Sequence, residues 1–286
     1  MATPTLRCLR EKLPGAWIGA LVRPGMDEVL AGLPSIDEFH VARASGVMGP
    51  KFIAAKLRPR RYDAALLLTN SFSTALTVRI AGIPRRIGYD RDARGLLLTE
   101  RLAPPKWSSG RLAPVPAVRY YLHAAQALLK DQLPDISIYE NQLSLFVSDA
   151  DHAAAQRVFA AANVDPSEPR AILNPGGNNP AKRWPADRFA ALTRHLADRG
   201  LRVFLNGSPG EADLVDDIAQ RAGVKSSVNL PKLQITIGAL KGITRASKLM
   251  VTNDTGPRHI AAAFDVPLVS FWPHRPALDD HPGARG

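Results

Sequence analysis

Hydrophobic and polar positions follow two alternating patterns along this chain. Nearly continuous apolar runs, such as 16–22 and 62–69, are typical of strands buried in a parallel sheet. Other runs place apolar residues three or four positions apart. In 185–200 such a run has Pro185 in its first turn and Gly200 as its stop, which predicts an amphipathic helix. Strands regularly separated by helices predict βαβ units and parallel sheets.

This alternation occurs twice, which predicts two α/β domains in series. We expect the first domain to span 1–145, a linker with a helix to span 146–167, and the second domain to span 168–286. The first domain contains a proline-rich stretch at 101–118, which predicts a loop and not the interior of a helix or strand.

Three polar, glycine-containing loops follow predicted strands in the second half of the chain. They are "NPGGNNPAKRW" (174–184), "NGSPGEAD" (206–213) and "TNDTGPRH" (252–259). In doubly wound sheets, ligands bind beyond the carboxyl ends of the strands, where these loops would lie together. The sequence therefore predicts a binding site at this edge of the second sheet.

The third loop turns directly from a strand into a helix. Free N–H groups at a helix start can bind a phosphate, and Gly256 would let a ligand approach the backbone. His259 lies one turn further on and can point back toward the same ligand. The alternative is ordinary capping by Asp254 or Thr255, but capping alone needs neither the glycine nor the histidine. We therefore favour a phosphate site.

The other two loops each offer a charged candidate with two interpretations. Lys182 can neutralise a diphosphate, or it can be a solvated loop cation. Glu211 opens a helix, so it can compensate the helix dipole or accept hydrogen bonds from ribose hydroxyls. Trp184 is expected to pack the first loop against the following helix.

Motifs for bound metals and common cofactors are absent from the sequence. There is no P-loop, no GxGxxG dinucleotide fingerprint, no HExxH and no paired CxxC. "DRD" (90–92) resembles an Asp-x-Asp metal clamp, but it lies among arginines, which favours salt bridges. We expect no metal and no cofactor.

Composition narrows the choice of partner and compartment. The formal net charge of +11 favours a polyanionic partner, such as a phosphorylated substrate, an anionic membrane surface or nucleic acid. Aromatic residues make up only 6% and do not interleave with the basic residues, which disfavours nucleic acid. Cys8 is the only cysteine, so no intrachain disulfide can form. With neither a leader nor a membrane-spanning run in the sequence, we expect a cytoplasmic protein.

The loop segments carry a family resemblance that covers nearly the whole chain. "NPGGNNPAKRWPADRFAAL", "NGSPGEAD" and "VTNDTGPRHIAAAFDVPLV" resemble the nucleotide-sugar half of the ADP-heptose–lipopolysaccharide heptosyltransferases. "RRYDAALLLTNSFSTALTVRIAGIPRRIGY" is similar to the branch of that family that adds the second heptose. The resemblance implies two Rossmann-like domains facing each other across a cleft, the GT-B architecture.

The resemblance also implies a reaction and a set of roles. An acceptor hydroxyl attacks the anomeric carbon of ADP-heptose with inversion, without a metal, as ADP leaves. The implied acceptor is an anionic glycolipid, the inner core of lipopolysaccharide, at the inner face of the membrane, with which the protein would associate peripherally. No nucleic acid and no obligate protein partner are implied. The implied nucleotide-sugar residues are Lys182 for the diphosphate, Glu211 for the ribose, and Asp254, Thr255, Gly256 and nearby His259 for the diphosphate and sugar; Asn70 and Ser71 would line the acceptor side.

The resemblance places the family's catalytic base, an aspartate in a Gly-Asp loop, before Met1. It also places a first strand before Met1 and one or more helices after Gly286. We therefore expect an N-terminal domain without its first strand, no assignable base, weak binding of ADP and poor transfer or none. The sequence is compatible with misassigned ends of a longer gene, which the retained loops favour, or with a degenerate copy.

Three kinds of function remain open at this stage. The first is heptosyl transfer, or transfer by the same architecture from another nucleotide sugar. The second is a non-catalytic nucleotide-binding remnant. The third is a basic nucleic-acid binder, whose affinity would depend strongly on salt.

Overall fold

The computed structural model describes residues 1–43, 46–133, 135–165, 167–177 and 183–271. The chain divides into two compact units, Met1–Phe146 and Val147–Gly286. The helices of the first unit are α1 (Thr3–Lys12), α2 (Met26–Leu30), α3 (Gly49–Leu57), α4 (Phe72–Ile80), α5 (Ala117–Leu129) and α6 (Ser137–Glu140). Its strands are β1 (Gly19–Val22), β2 (Glu38–Val41), β3 (Ala64–Leu67), β4 (Arg85–Tyr89) and β5 (Glu100–Leu102).

The second unit follows the same alternation. Its helices are α7 (Asp149–Ala161), α8 (Ala186–Asp198), α9 (Ala212–Ala222), α10 (Ile237–Arg245) and α11 (Pro257–Ala263). Its strands are β6 (Arg170–Asn174), β7 (Arg202–Leu205), β8 (Val228–Asn229), β9 (Leu249–Asn253) and β10 (Leu268–Phe271). The predicted linker 146–167 thus contains α7, which packs against α10.

The described strands of the first unit form two parallel sheets. One pairs β1 with β2, and the other has the order β3-β4-β5. Helices α1 and α5 pack together through a core that contains Cys8, Leu9, Leu122 and Ala125. Burial raises the pKa of the Cys8 thiol to about 11, so this cysteine is a core residue with little thiolate character.

The described strands of the second unit form one five-stranded parallel sheet with the order β10-β9-β6-β7-β8. Strand β6 lies in the middle, and all of its residues are buried. On one face, Phe189 of α8 and Val215 and Ile218 of α9 pack against the sheet. This continuous sheet brings the carboxyl ends of β6, β7 and β9 together at one edge.

Helices α7 and α10 approach each other closely because two glycines face α7. A Cβ atom on Gly238 would collide with the Asp151 carboxylate, and one on Gly242 would press on the Cβ of Ala155. The close approach allows the fully buried Lys241 to reach Asp151, with 2.9 Å between Nζ and Oδ2. An ion pair therefore joins the two helices inside the second unit.

The structure confirms the α/β class with parallel sheets. It also shows three short elements that the apolar pattern does not mark: α6, β5 and β8. Among the helices of the described residues, none is both long and apolar enough to cross a membrane.

Candidate functional site

The three predicted loops begin at neighbouring strands of the second unit. Leu173 of β6 pairs with Leu205 of β7, and Asn174 of β6 pairs with Thr252 of β9. Residues 175–177, 206–211 and 254–256 therefore leave the sheet side by side at its carboxyl edge. Lys182 lies outside the described residues, and its role stays a prediction.

Asn253, at the end of β9, ties the first and third loops together. Its side-chain Nδ2 donates to the carbonyl oxygens of Pro175 (2.7 Å) and Gly176 (3.1 Å). Its Oδ1 accepts from the backbone N–H of Trp184 (3.0 Å). Asn253 is almost fully buried, so these bonds are shielded from water. One amide thus holds both ends of the described first loop against the third.

Trp184 packs as the sequence suggests. Its ring stacks on Phe271 with 4.2 Å between centroids, and it meets Phe189 edge-on at 5.1 Å. The expected contact between the first loop and helix α8 is therefore confirmed.

Glu211 joins the first loop to the second. One carboxylate oxygen accepts from the backbone N–H of Gly177 (2.7 Å), and the other accepts from the N–H and the hydroxyl of Ser208 (both 2.8 Å). Burial opposes ionisation of this side chain, but the hydrogen bonds from Ser208 and Gly177 outweigh it and hold the pKa of Glu211 below its usual value. Glu211 is thus a fixed carboxylate at neutral pH.

This arrangement bears on both interpretations of Glu211. The side chain completes a capping box with Ser208 just before α9, which agrees with a local role at the helix start. A carboxylate has about four acceptor positions, and three are occupied by these bonds, so about one remains for a ligand hydroxyl.

Thr255 lies beside the same glycine. A Cβ atom on Gly177 would sit 3.5 Å from Cγ2 of Thr255, so the methyl group of Thr255 faces Gly177. The Thr255 hydroxyl lies 3.0 Å from that of Thr252. Two predicted ligand residues from different loops, Glu211 and Thr255, therefore lie next to Gly177, which is partly buried.

The capping alternative for the third loop is wrong. Gly256 is the N-cap of α11, and no side chain caps this helix. Asp254 instead pairs with Arg258, with 2.8 Å between Oδ1 and Nη1, and both side chains are mostly buried. Gly256 has ordinary helical backbone angles, and the space beside its Cα is open. A side chain at this position would not strain the backbone, but it would fill the open space beside the Cα.

His259 is half-buried and adjoins the Asp254–Arg258 pair. The Nε of Arg258 lies 3.3 Å from the Nε2 of His259 and donates to it, which places the imidazole proton on Nδ1. Burial, followed by the charge of Arg258, lowers the pKa of His259 to about 4. His259 is therefore neutral at pH 7 and can offer a ligand a hydrogen bond, but not a positive charge.

In the first unit, the predicted acceptor-side residues follow β3 at the start of α4. Ser71 is the N-cap of α4, and its hydroxyl accepts from the N–H of Thr74. The Oδ1 of Asn70 accepts from the Nη2 of Arg94 (3.2 Å) and from the hydroxyl of Tyr120 (3.1 Å). The structure therefore anchors both residues at the carboxyl edge of their sheet.

Sequence reasoning did not single out Arg94, Tyr120 or Asn253. The sequence does mark Asn253, because this residue comes at the end of a predicted strand and directly before "DTG". It does not mark Arg94, because this residue is one of several arginines in "RRIGYDRDARG". Burial lowers the pKa of Arg94, but an arginine guanidinium stays charged in proteins.

Within the described part of the chain, no group of three or more histidine, cysteine, aspartate or glutamate side chains could hold a metal ion. The expected salt bridges of the "DRD" segment are not found either. Within the described residues, Asp90 and Asp92 form no close ion pair, although the charges of both act on Arg94, and Asp90 lies against Gly95.

Comparison with known proteins connects this site to one family. Residues 52–278 match the family model described as glycosyltransferase family 9 (heptosyltransferase). The chain is 29% identical to lipopolysaccharide heptosyltransferase 2 of Salmonella typhimurium strain LT2, covering 95% of this chain and 78% of that protein. It is 28% identical to lipopolysaccharide heptosyltransferase 2 of Escherichia coli K12, with the same coverage.

Solved structures show the same fold. The E. coli ADP-heptose lps heptosyltransferase II matches with a TM-score of 0.77 and 26% identity, over 95% of this chain and 80% of that one. A glycosyl transferase of family 9 from Veillonella parvula matches with a TM-score of 0.80 over 94% of this chain and 75% of that one, at 21% identity. These matches confirm the predicted GT-B class of fold.

Proposed function

The chain belongs to glycosyltransferase family 9, the heptosyltransferases, and from this premise we propose that it transfers a heptose from ADP-heptose to the inner core of lipopolysaccharide with inversion. The family assignment confirms the resemblance recognised in the loop segments. The donor, the acceptor and the stereochemistry are our proposal. Glu211, Asp254, Thr255, Gly256 and His259 would hold the donor together with Lys182, and Asn70 and Ser71 would meet the acceptor.

The observation that carries this proposal is the junction at Gly177. Glu211 accepts a hydrogen bond from the Gly177 N–H, and the methyl group of Thr255 lies beside the same residue. The Glu211 carboxylate, which we propose for a ribose hydroxyl, and Thr255, which we propose for a phosphate oxygen, thus both lie at Gly177. Two loops thus bring a carboxylate and a threonine to one glycine at the carboxyl edge of the sheet, where a nucleoside diphosphate would bind.

The charges of the site also suit an anionic donor. Asp254 would repel a diphosphate, but its pair with Arg258 offsets its charge. His259 is neutral and can donate from Nδ1. Arg183 lies on the first loop, where its guanidinium binds the carbonyl oxygen of Gly177 at 2.6 and 2.9 Å. We propose that Arg183, with Lys182, supplies positive charge that stabilises the leaving ADP.

The adenine nucleotide and the glycolipid rest on the relatives. The solved E. coli structure is described as an ADP-heptose lps heptosyltransferase, and the curated relatives act on lipopolysaccharide by name. The net charge of +11 favours an anionic acceptor and a place at an anionic membrane surface. We assign no catalytic base among the described residues.

A thermal-shift comparison of ADP, UDP and GDP tests the donor. We expect ADP to raise the Tm more than UDP or GDP, because the proposed donor is ADP-heptose. A ligand at 100 times its Kd stabilises the native state by about 2.7 kcal/mol, so a difference in Kd appears as a difference in Tm. Glu211→Gln should reduce the ADP shift, whereas Asp213→Asn, an exposed carboxylate in the next helix, should not. A larger shift with UDP or GDP would identify another nucleotide sugar, and no shift with any of them would contradict a donor site.

Transfer itself is tested by ADP release from ADP-heptose in the presence of deacylated, heptose-deficient lipopolysaccharide. Because no catalytic base is assigned, we expect slow release that depends on both substrates and that falls further in Glu211→Gln. ADP binding without acceptor-dependent release would support a non-catalytic nucleotide binder instead.

A further inference from the structure

Arg94 is a fully buried guanidinium that is held by neutral oxygen atoms. It donates to the carbonyl oxygens of Tyr89 and Thr69 and to the side-chain Oδ1 of Asn70. No described carboxylate forms an ion pair with it. Burying a charge in this way is costly unless every hydrogen bond is well placed, so the geometry of these three acceptors is strongly constrained.

One of the three acceptors, the side chain of Asn70, is held by two hydrogen-bond donors. The Oδ1 of Asn70 accepts both from Arg94 and from the Tyr120 hydroxyl. A flipped amide would place its NH2 group against these two donors, so the orientation of the amide is determined. Among the described residues, no hydrogen-bond acceptor takes the Nδ2 group of Asn70, which points away from Arg94 and Tyr120.

Tyr120 is itself held in place. Its ring stacks on Tyr89 with 3.8 Å between centroids and 17° between planes. The Tyr89 hydroxyl donates to the backbone oxygen of Tyr120 (2.8 Å), and burial raises the pKa of Tyr89 to about 12, so that this proton is retained. The hydroxyl of Tyr120 is therefore a rigid donor that reaches Asn70 from α5.

Asn70 lies at the edge of its sheet where a ligand is expected to bind. It is half-buried between two exposed residues, Thr69 and Ser71, and it follows the carboxyl end of β3. Ligands of parallel α/β sheets bind at this edge. An NH2 group fixed here is a preformed donor for an oxygen atom of a substrate.

We propose that Arg94 and Tyr120 are positioning residues that lock the Asn70 amide with its NH2 group outward, as a hydrogen-bond donor to a phosphate or hydroxyl oxygen of the glycosyl acceptor. That this ligand is the acceptor rests on the proposed function. The positive charge of Arg94 lies directly behind the amide and favours an anionic oxygen. A purely structural role would need the two bonds to Oδ1 but would not need an NH2 group on the other side.

Asn70→Asp separates these two roles. Aspartate keeps oxygen acceptors for Arg94 and Tyr120 and adds an ion pair with the guanidinium, so the free energy of unfolding should stay equal or rise. The outward donor is lost, however, and we expect kcat/KM for the acceptor to fall roughly tenfold or more, the range for a hydrogen bond to a charged group. The KM for ADP-heptose should not change.

Tyr120→Phe and Arg94→Lys test the positioning. Tyr120→Phe keeps the ring on Tyr89 but removes one of the two donors, and we expect kcat/KM for the acceptor to fall about threefold to tenfold, the range for one hydrogen bond. Arg94→Lys keeps the charge but cannot reach three acceptors, so it should not restore wild-type values. Tyr121→Phe, which removes a hydroxyl one residue further on α5, is the control and should leave the acceptor constants unchanged.

A second measurement keeps this test independent of turnover. The side-chain NH2 signals of Asn70 in a 1H–15N spectrum, assigned by their absence in Asn70→Asp, should be sharp and well resolved in the free protein and should merge or broaden in Tyr120→Phe. Deacylated, heptose-deficient lipopolysaccharide should shift them, with weaker affinity in Tyr120→Phe.

The outcomes distinguish the two proposals. If the wild type neither binds nor uses this acceptor while ADP still binds, the assignment of the acceptor fails. If the wild type and Tyr120→Phe bind the acceptor equally, or if the Asn70 signals are unchanged in Tyr120→Phe, positioning by Tyr120 and Arg94 is wrong although the proposed function stands. Full acceptor activity in Asn70→Asp would show that the outward NH2 group is not used.

Discussion

The two units each bury a cation completely, but they hold it in different ways. In the second unit, Lys241 of α10 forms an ion pair with Asp151 of α7 at 2.9 Å. In the first unit, Arg94 donates to two carbonyl oxygens and one amide oxygen. An ammonium is a compact, strongly hydrated charge, whereas a guanidinium spreads its charge over a planar fork and is easier to remove from water. Each cation therefore has the partners that its chemistry requires.

This difference has a consequence for function. The Lys241–Asp151 pair is neutral as a whole and joins two helices, so it contributes to the packing of its unit. The Arg94 charge is not cancelled by a hydrogen-bonded carboxylate among the described residues, and it lies behind Asn70 at the ligand edge of its sheet. A buried charge that supports packing and one that supports a binding loop can thus be told apart by their partners.

The largest expected loss of stability comes from breaking the Lys241–Asp151 ion pair. Burial would raise the pKa of Asp151, but hydrogen bonds from Lys241 and Ser148 outweigh burial and hold the pKa below its usual value. Asp151→Asn keeps an oxygen acceptor for Ser148 but removes the negative charge that pairs with the buried Lys241. We expect the free energy of unfolding in urea to fall by about 3–5 kcal/mol. Asp149→Asn, an exposed change in the first turn of the same helix, should cost far less.

Arg94→Met sharpens the same comparison. It removes a charge instead of leaving one without its partner, and each of three neutral oxygen atoms loses one donor. The Oδ1 of Asn70 keeps the Tyr120 hydroxyl, and the carbonyl oxygen of Tyr89 keeps the N–H of Arg91. We expect a loss of about 2–3 kcal/mol, smaller than that of Asp151→Asn, because losing hydrogen bonds to neutral groups costs less than losing the counter-charge of a buried cation. If Arg94→Met were the more destabilising of the two, the distinction between the two buried cations would be wrong.

Much of the fold follows from the apolar pattern of the sequence. The continuous apolar run at 62–69 contains β3, and the amphipathic run at 185–200 contains α8. Strands such as β8, with two residues, bury too little for any periodicity to appear, so they are missed. The pattern predicts that a strand forms, but it does not predict which strands pair. The pairing of β1 with β2, and of β4 with β3 and β5, therefore emerges only from the structure.

In the candidate site, too, some features could be predicted from the sequence and others could not. The loops could be located from the sequence because strand ends and glycines mark them, and a family resemblance supplied the roles. The partners could not be predicted: Asp254 pairs with Arg258 instead of capping a helix, and Asn253 links two loops across 77 and 78 positions of sequence. Which arginine is buried is decided by tertiary packing, and Arg94 has no local signal.

A smaller effect is expected at Gly176, which tests whether the second-unit loops act as one assembly. A Cβ atom here would overlap the carboxylate of Glu211, so Gly176→Ala must displace that side chain from Gly177 and Ser208. We expect a loss of stability of about 1–3 kcal/mol, typical of overpacking, and a reduced thermal shift with ADP. Gly210→Ala, where the space beside the Cα is open, is the matched control. A normal ADP shift in Gly176→Ala would show that Glu211 does not serve the nucleotide.

The smallest effect is expected at His259 and depends on pH. The pKa of His259 is about 4 in the folded chain, below its ordinary value of 6.5, chiefly because of burial. Above pH 7 the imidazole is neutral in both states and contributes no pH dependence. Between pH 6.5 and 4 the unfolded chain takes up a proton that the native state refuses, so stability falls as the pH falls.

His259→Asn removes this proton uptake. The wild type should therefore lose roughly 1–2 kcal/mol relative to His259→Asn between pH 7 and pH 4.5, less than the full shift implies because the ring is only half-buried. The measurement is urea unfolding of both proteins across this range, with the exposed His195→Asn as the control. A constant difference between wild type and His259→Asn would mean that the ring is solvated and protonates in place. In that case the ring would carry a positive charge beside Arg258 at low pH, and the affinity of the donor site for a diphosphate would rise as the pH falls. With a neutral ring, we expect His259 to leave this affinity unchanged.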